Sequence, residues 1–458
     1  MLEPGTTAII LSGTAVGTLF LIVALRASVR AGDWNTTAVF IFALGWLMNI
    51  PVLAIVWSGN ASFVTGPFGN KILLEPVANP YFTALRWALV AVILLTVTLS
   101  FLRGATGGRR RVRHVTIVAL LLHIVITFST GLNNGQMFSA TQMSLAVVLA
   151  VCIVLPVGRG AHLGAGVFGI TLAILSGLAA AVRPAWAVVP CRADKCGPLG
   201  FLFRGVLGHE NALGITLSVA LPYVYLGFRG KARFVLSLYV AGMVVLTGSR
   251  TAVIAVAVTL LALAILRPRV DTPADWWRIR VAWVVAVAGL VIGFVLPMMS
   301  SDSHGYTGRV YLWAATYKKM DSAPFLGFGR GALSGFSQQH LNPLMYSVHN
   351  QFLDMRFAAG WIGFFLFLGI LAVMIRNSGR GQRLVMLTVL IAPIYIGITE
   401  RPWSLAELDG MTFSLLAAML CAVEASEEKG PPSTVCSTRR GEGAVCTAST
   451  GSPSPTRI

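Results

Sequence analysis

Arg250, Arg309 and His349 stand at the ends of apolar runs in a chain where only 11% of residues are Asp, Glu, Lys or Arg. A guanidinium presents a planar fork of N–H donors that grips phosphate oxygens two at a time. A histidine beside it can take a proton from an attacking hydroxyl, because an imidazole exchanges protons near neutral pH. Two arginines and one histidine on one side of a membrane would therefore suit transfer away from a phosphate leaving group. The alternative for each arginine is an interfacial anchor or the partner of a carboxylate. Arg250 has almost no hydrophilic flank to retreat into, which weakens that alternative there.

Ser347-Val348-His349-Asn350-Gln351 leads directly into an apolar run. If a helix starts near His349, then His349, Leu353 and Arg356 share a face and Asn350 meets Asp354 on the next, which predicts that His349 and Arg356 line one cavity. The other reading makes His349 a helix-start residue in the headgroup layer. Further upstream, Gly208-His209-Glu210-Asn211 opens another run. Glu210 is expected to pair with Arg204 or Arg250, since an acid at a helix N-terminus is favourable. Asn350, Arg356, Glu210 and Arg204 are thus candidate supporting residues.

Positioning these groups takes helices. The chain has 458 residues, 56% of them apolar, and a helix that crosses hydrocarbon needs about 20 mostly apolar residues because each backbone amide must bond within its own segment. Such runs predict an all-α polytopic membrane protein with about thirteen spans: 7–25, 36–57, 83–102, 114–131, 140–157, 163–182, 211–228, 233–249, 251–266, 281–299, 352–375, 384–399 and 410–425. The apolar stretch from Phe234 to Leu266 is split in two at Gly248-Ser249-Arg250, because an arginine is costly at the bilayer centre. The start Met1-Leu2-Glu3-Pro4 lacks the basic region of a secretory signal, so the first run is read as a retained span.

The net charge of +18 lies mostly in short connectors, which argues for orientation of spans and against a nucleic-acid partner. With the N-terminus outside and the C-terminus cytoplasmic, 22 of the 35 Lys and Arg fall in inner connectors. One membrane domain is expected over 1–425, with a long extracytoplasmic loop at 300–351 between spans 10 and 11, and a disordered cytoplasmic tail over 426–458. Within the long loop, Val310, Trp313, Ala314 and Tyr317 recur at helical spacing, which predicts an amphipathic helix on the membrane surface. Pro324 and the glycines after it predict a tight loop. Cys191 and Cys196 enclose Arg192, Ala193, Asp194 and Lys195 in an outer segment where a bridge can persist.

In order and spacing, Thr247-Gly248-Ser249-Arg250, Gly308-Arg309 with Leu312-Trp313, Pro324-Phe325-Leu326-Gly327-Phe328-Gly329, and His349-Asn350 leading to Gly360 and Gly363 resemble the signature of the O-antigen ligase and polymerase superfamily of membrane glycosyltransferases. The resemblance covers about residues 200–400; residues 1–180 match only as a hydropathy pattern. It implies an inverting transfer of a glycan from an undecaprenyl-diphosphate-linked donor to an acceptor hydroxyl, at the outer face of a bacterial inner membrane and with no metal or other cofactor. The acceptor would be a glycan, lipid or protein. By carry-over Arg250 and Arg309 hold the diphosphate, and His349 acts as base or orients the acceptor. The resemblance assigns no family role to His209 or Glu210. Glu75, Asp194, Glu210, Asp302, Asp321 and Glu400 are also scattered, unlike the clustered carboxylates that hold a divalent ion beside phosphates.

The competing class is a transporter or flippase of polysaccharide or lipid-linked oligosaccharide. It calls for ionisable groups near mid-membrane and broken helices in matched halves. Span centres here are nearly free of charge, which favours chemistry at one edge of the bilayer.

Overall fold

The computed structural model describes residues 4–57, 62–65, 71–74, 80–102, 109–134, 140–155, 157–192, 195–270, 274–299, 309–330, 348–421, 435–437 and 445–447. The apolar helices are α1 (Pro4–Arg30), α2 (Thr36–Trp57), α3 (Pro80–Leu102), α4 (Arg109–Asn134), α5 (Ala140–Val151), α6 (Arg159–Val182), α8 (Glu210–Gly227), α9 (Gly230–Leu246), α10 (Arg250–Leu266), α11 (Trp276–Met299), α13 (Gln351–Asn377), α14 (Gly379–Gly397) and α15 (Thr412–Cys421). A helix lies over each run read from the sequence. Among the described residues, five segments within these helices are long and apolar enough to cross a membrane: Gly5–Arg30, His114–Asn133, Arg159–Val182, Trp276–Met299 and Gln351–Asn377. Two short helices, α7 (Pro184–Ala187) and α12 (Arg309–Met320), lie between them.

Helix α6 runs through the middle of the packing. A Cβ at Gly164 would stand 2.4 Å from the Ala38 carbonyl oxygen of α2, and one at Gly169 would stand 2.4 Å from Cβ of Ala220 on α8. Small residues let these backbones meet, which is how helices associate when lipid is as apolar as their side chains.

The turn between α9 and α10 falls at Gly248-Ser249, as the charge argument predicts. Gly248 has φ +65°, Thr247 Oγ1 donates to the Val244 carbonyl at 2.7 Å, and the Ser249 amide donates back to Thr247 Oγ1 at 3.1 Å. A Cβ at Gly248 would come within 3.0 Å of the Gly197 Cα. The turn that presents Arg250 therefore rests on the segment just after Cys196. That segment belongs to a hairpin in which β1 (Val188–Pro190) pairs antiparallel with β2 (Phe201–Phe203), and Cys191 and Cys196 are disulfide-bonded.

Helix α13 is broken where the sequence shows one continuous apolar run. Ala359 and Gly360 leave helical geometry, Gly360 at φ +62°. The freed amides of Trp361 and Ile362 donate to the carbonyls of Pro324 and Phe325, while the amides of Phe328 and Gly329 donate to Phe357 and Ala358. The Pro324–Gly329 turn is thus laced into the break, and Gly360 is needed because a Cβ there would stand 2.2 Å from the Phe325 backbone.

The surface helix expected near 307–320 is present as α12, but its apolar face is not left for lipid. Val310, Leu312, Trp313 and Met320 are buried against Phe328, Val348, Leu353 and Phe357, and Trp313 Nε1 donates to the Val348 carbonyl at 2.9 Å. The amphipathic spacing serves a small satellite core. Residues 300–308 and 331–347 of the proposed loop 300–351, and the tail 426–458 apart from the paired strands Val435–Ser437 and Val445–Thr447, lie outside the described residues.

Charged groups gather at two ends of the bundle. Asp33 pairs with Arg159 at 3.6 Å and Arg229 at 3.2 Å, joining connectors that the charge count assigns to one side. Helix α8 carries Glu210 at its other end, about 27 Å away at 1.5 Å per residue.

Candidate functional site

His349 is the residue before the cap of α13, not its first helical residue, and its backbone is left-handed at φ +52°. For a residue with a Cβ this costs about 1–2 kcal/mol, so its neighbours must enforce it. Asn350 does so from a buried position. Its Oδ1 accepts from the Leu353 amide at 2.8 Å, and its Nδ2 donates to the carbonyls of Gly293 at 2.7 Å and Ile398 at 2.8 Å. One amide thereby ties the start of α13 to the ends of α11 and α14. Asn350 supports His349 by holding its backbone, and its own polar atoms are engaged in doing so.

The ring of His349 meets Glu400, which follows α14. Nδ1 lies 2.9 Å from Glu400 Oε2, and the other carboxylate oxygen accepts from Arg309 Nη2. Burial alone would raise the Glu400 carboxyl, but Arg309 and His349 outweigh it and hold the group at about 2. A carboxylate only accepts hydrogen bonds, so Nδ1 carries the shared proton and the lone pair of the neutral ring sits on Nε2. The side chain of His349 is 35% exposed while that of Glu400 is 10% exposed. A buried anion orients a half-open imidazole with its basic nitrogen fixed, the arrangement a general base needs.

Because the folded-state pKa of Glu400 is depressed from 4.5 to about 2, its stabilising contribution is fully present above about pH 4.5 and is lost as pH falls toward 2. Thermal unfolding in detergent should show wild type above Glu400→Gln at pH 7, with the gap closing below pH 4.5. A gap that stays constant down to pH 3 would contradict the ion pair.

A second cluster surrounds Glu210, the first residue of α8, whose side chain is fully buried. Arg192 Nη1 lies 3.1 Å away, Lys195 Nζ 3.3 Å and Arg204 Nε 3.6 Å. Lys195 also donates to Asn211 Oδ1 at 2.6 Å. The expected Glu210–Arg204 pair is present, joined by two cations from the disulfide hairpin. Burial opposes ionisation of Glu210, but His209, Lys195 and Arg192 hold its pKa at about 2. The clusters are neighbours: Glu400 acts electrostatically on both Lys195 and His209. Arg250, exposed at the start of α10, stands beside them through the 2.6 Å contact between the hydroxyls of Thr251 and Thr399.

Arg356 departs from the expected arrangement. Its guanidinium lies over the ring of Trp361 at 4.1 Å and that of Tyr317 at 5.7 Å. It lines a narrow crevice with Gly293, Pro297, Tyr317 and Leu353, and His349 is not among the lining residues. Because α13 starts at Gln351, the i, i+7 relation between His349 and Arg356 does not apply, and the two do not share that cavity. Glu400 was legible only as one of several scattered acids. Its partners lie 51 and 91 residues away in the chain, a relation that local spacing does not carry.

A polytopic helical membrane protein with its charged machinery gathered at one end of the bundle is the class that fold and site define. Residues 235–368, from α9 through the break in α13, match the family model described as O-Antigen ligase. A protein of Pseudomonas aeruginosa named O-antigen ligase is 23% identical over 382 residues, 79% of this chain and 84% of that protein. Both likenesses are to the O-antigen ligase superfamily whose motifs the sequence resembles. The matched region contains Arg250, Arg309 and His349; Glu210 and Glu400 lie outside it.

Proposed function

We propose that this protein is a membrane glycosyltransferase that moves a glycan from an undecaprenyl-diphosphate-linked donor to an acceptor hydroxyl, as a ligase or polymerase of cell-envelope polysaccharide. The observation that carries the reading is the Glu400–His349 pair beside Arg309, at one end of a bundle whose family region is that of an O-antigen ligase. His349 Nε2 takes the proton of the acceptor hydroxyl as its oxygen attacks the anomeric carbon, inverting it. The bond from that carbon to the diphosphate oxygen breaks, and its electron pair leaves with the lipid diphosphate. Arg250 and Arg309 receive the leaving group. One N–H of Arg309 is spent on Glu400 and a guanidinium has five, so phosphate oxygens can be gripped by those remaining. The reading needs no metal.

Deletion of the gene should leave lipid-linked glycan accumulating in the membrane. Complementation by wild type, and not by His349→Ala, should clear it. No accumulation in the deletion strain would contradict a transferase.

The same reading puts the charged site on the outer face, with thirteen crossings, the N-terminus outside and the tail inside. Ser322, just after α12, and Lys231, at the start of α9, are both exposed. In a cysteine-free background, an impermeant thiol reagent on intact cells should label Ser322→Cys and spare Lys231→Cys until lysis. The reverse pattern would invert the topology.

A further inference from the structure

We propose that His209 is a second substrate-contacting histidine, presenting an Nε2–H hydrogen-bond donor to a phosphate oxygen at the same site. The inference rests on the glycosyltransferase reading above and extends it to a residue outside the matched family region.

The geometry fixes the ring. His209 is the N-cap of α8, and its Nδ1 accepts from the backbone amide of Asn211 at 3.2 Å. An amide N–H cannot accept, so Nδ1 holds a lone pair and the proton of the neutral ring is on Nε2. That is the opposite tautomer from His349, whose Nδ1 donates to Glu400. One ring therefore offers a base at its far nitrogen, and the other offers a donor.

The surroundings point to an anion. Lys195, Arg204 and Glu210 act electrostatically on His209 from its own cluster, and Glu400 does so from the catalytic one. Arg192, Lys195 and Arg204 converge on the single carboxylate of Glu210, which leaves an excess of positive charge. Burial is the largest influence on His209 and keeps its pKa below the ordinary histidine value, so the ring remains a neutral donor at neutral pH and adds no further charge. Within the cluster, Arg204 Nε and Glu210 Oε2 face each other as an ion pair at 3.6 Å, beyond hydrogen-bond distance.

A capping role alone would be met by any good N-cap residue. Asn and Ser rank among the best and accept from the same amide, but neither reaches out with a donor where Nε2 stands. His209→Asn and His209→Ser should therefore match the wild-type melting temperature. With donor extracted from the deletion strain, their kcat/KM should fall about 10- to 100-fold, the loss expected for one hydrogen bond to a charged group. Transfer at the wild-type rate by either stably folded variant would overturn the proposal. His349→Ala, run in parallel, separates the failures: if it is inactive while the His209 variants are normal, only the His209 inference falls. If it too is fully active, the glycosyltransferase mechanism falls with it.

Discussion

His349→Ala is expected to insert and fold normally and to lose roughly 100- to 10,000-fold in transfer rate, the range usual for loss of a general base. Folding should survive because Asn350, not the imidazole, ties α13 to α11 and α14. Removing the ring should also relieve the left-handed backbone at position 349 of no constraint it needs, since that geometry is set by the capped helix start. Donor binding should persist, because the arginines and the Glu210 cluster remain. Initial rates with saturating donor, together with donor retention by the purified variant, would check both parts. Near-normal turnover would remove the base from the mechanism and leave substrate positioning as the source of rate.

Glu400→Gln is expected to fall by roughly 100-fold or more, through loss of the charge that stabilises His349 once it has taken the proton. The Gln carbonyl can still accept from Nδ1, so the tautomer has a way to survive, while the electrostatic support does not. Glu400→Ala should do more harm: it leaves Arg309 without its carboxylate in a site where that side chain is 15% exposed. Breaking a buried pair from one side costs about 3–5 kcal/mol, so this variant should also melt lower. The contrast between the two separates a positioning role from a structural one. Comparable activity in Glu400→Gln and wild type would show that the carboxylate only stabilises the fold.

Much of the architecture was legible because hydrocarbon imposes a simple rule on sequence. A run of about 20 apolar residues must be a helix, and an arginine inside such a run must mark its end, which located the turn before Arg250. The same rule is blind to a break satisfied by protein. Ala359-Gly360 sits within an uninterrupted apolar stretch, and only the arrival of Pro324–Gly329 supplies the carbonyls that let the helix open. Amphipathic spacing identified α12 but not what its apolar face packs on, because a satellite core and a lipid surface ask for the same pattern. The site was half legible. Arg309 and His349 could be chosen by residue type and motif, but the anion that joins them comes from a distant turn after α14. Likewise, Lys195 and Arg192 read as surface charge on a small disulfide loop until the fold sets both on Glu210.

The most direct test is transfer by the purified protein in liposomes, with polyprenyl-diphosphate-linked glycan and its acceptor supplied on the same side. Each glycan joined to acceptor should release one lipid diphosphate, through a new glycosidic bond of inverted configuration, and His349→Ala should abolish both products together. Movement of intact lipid-linked glycan across the bilayer, with no joined product and no released diphosphate, would contradict the account.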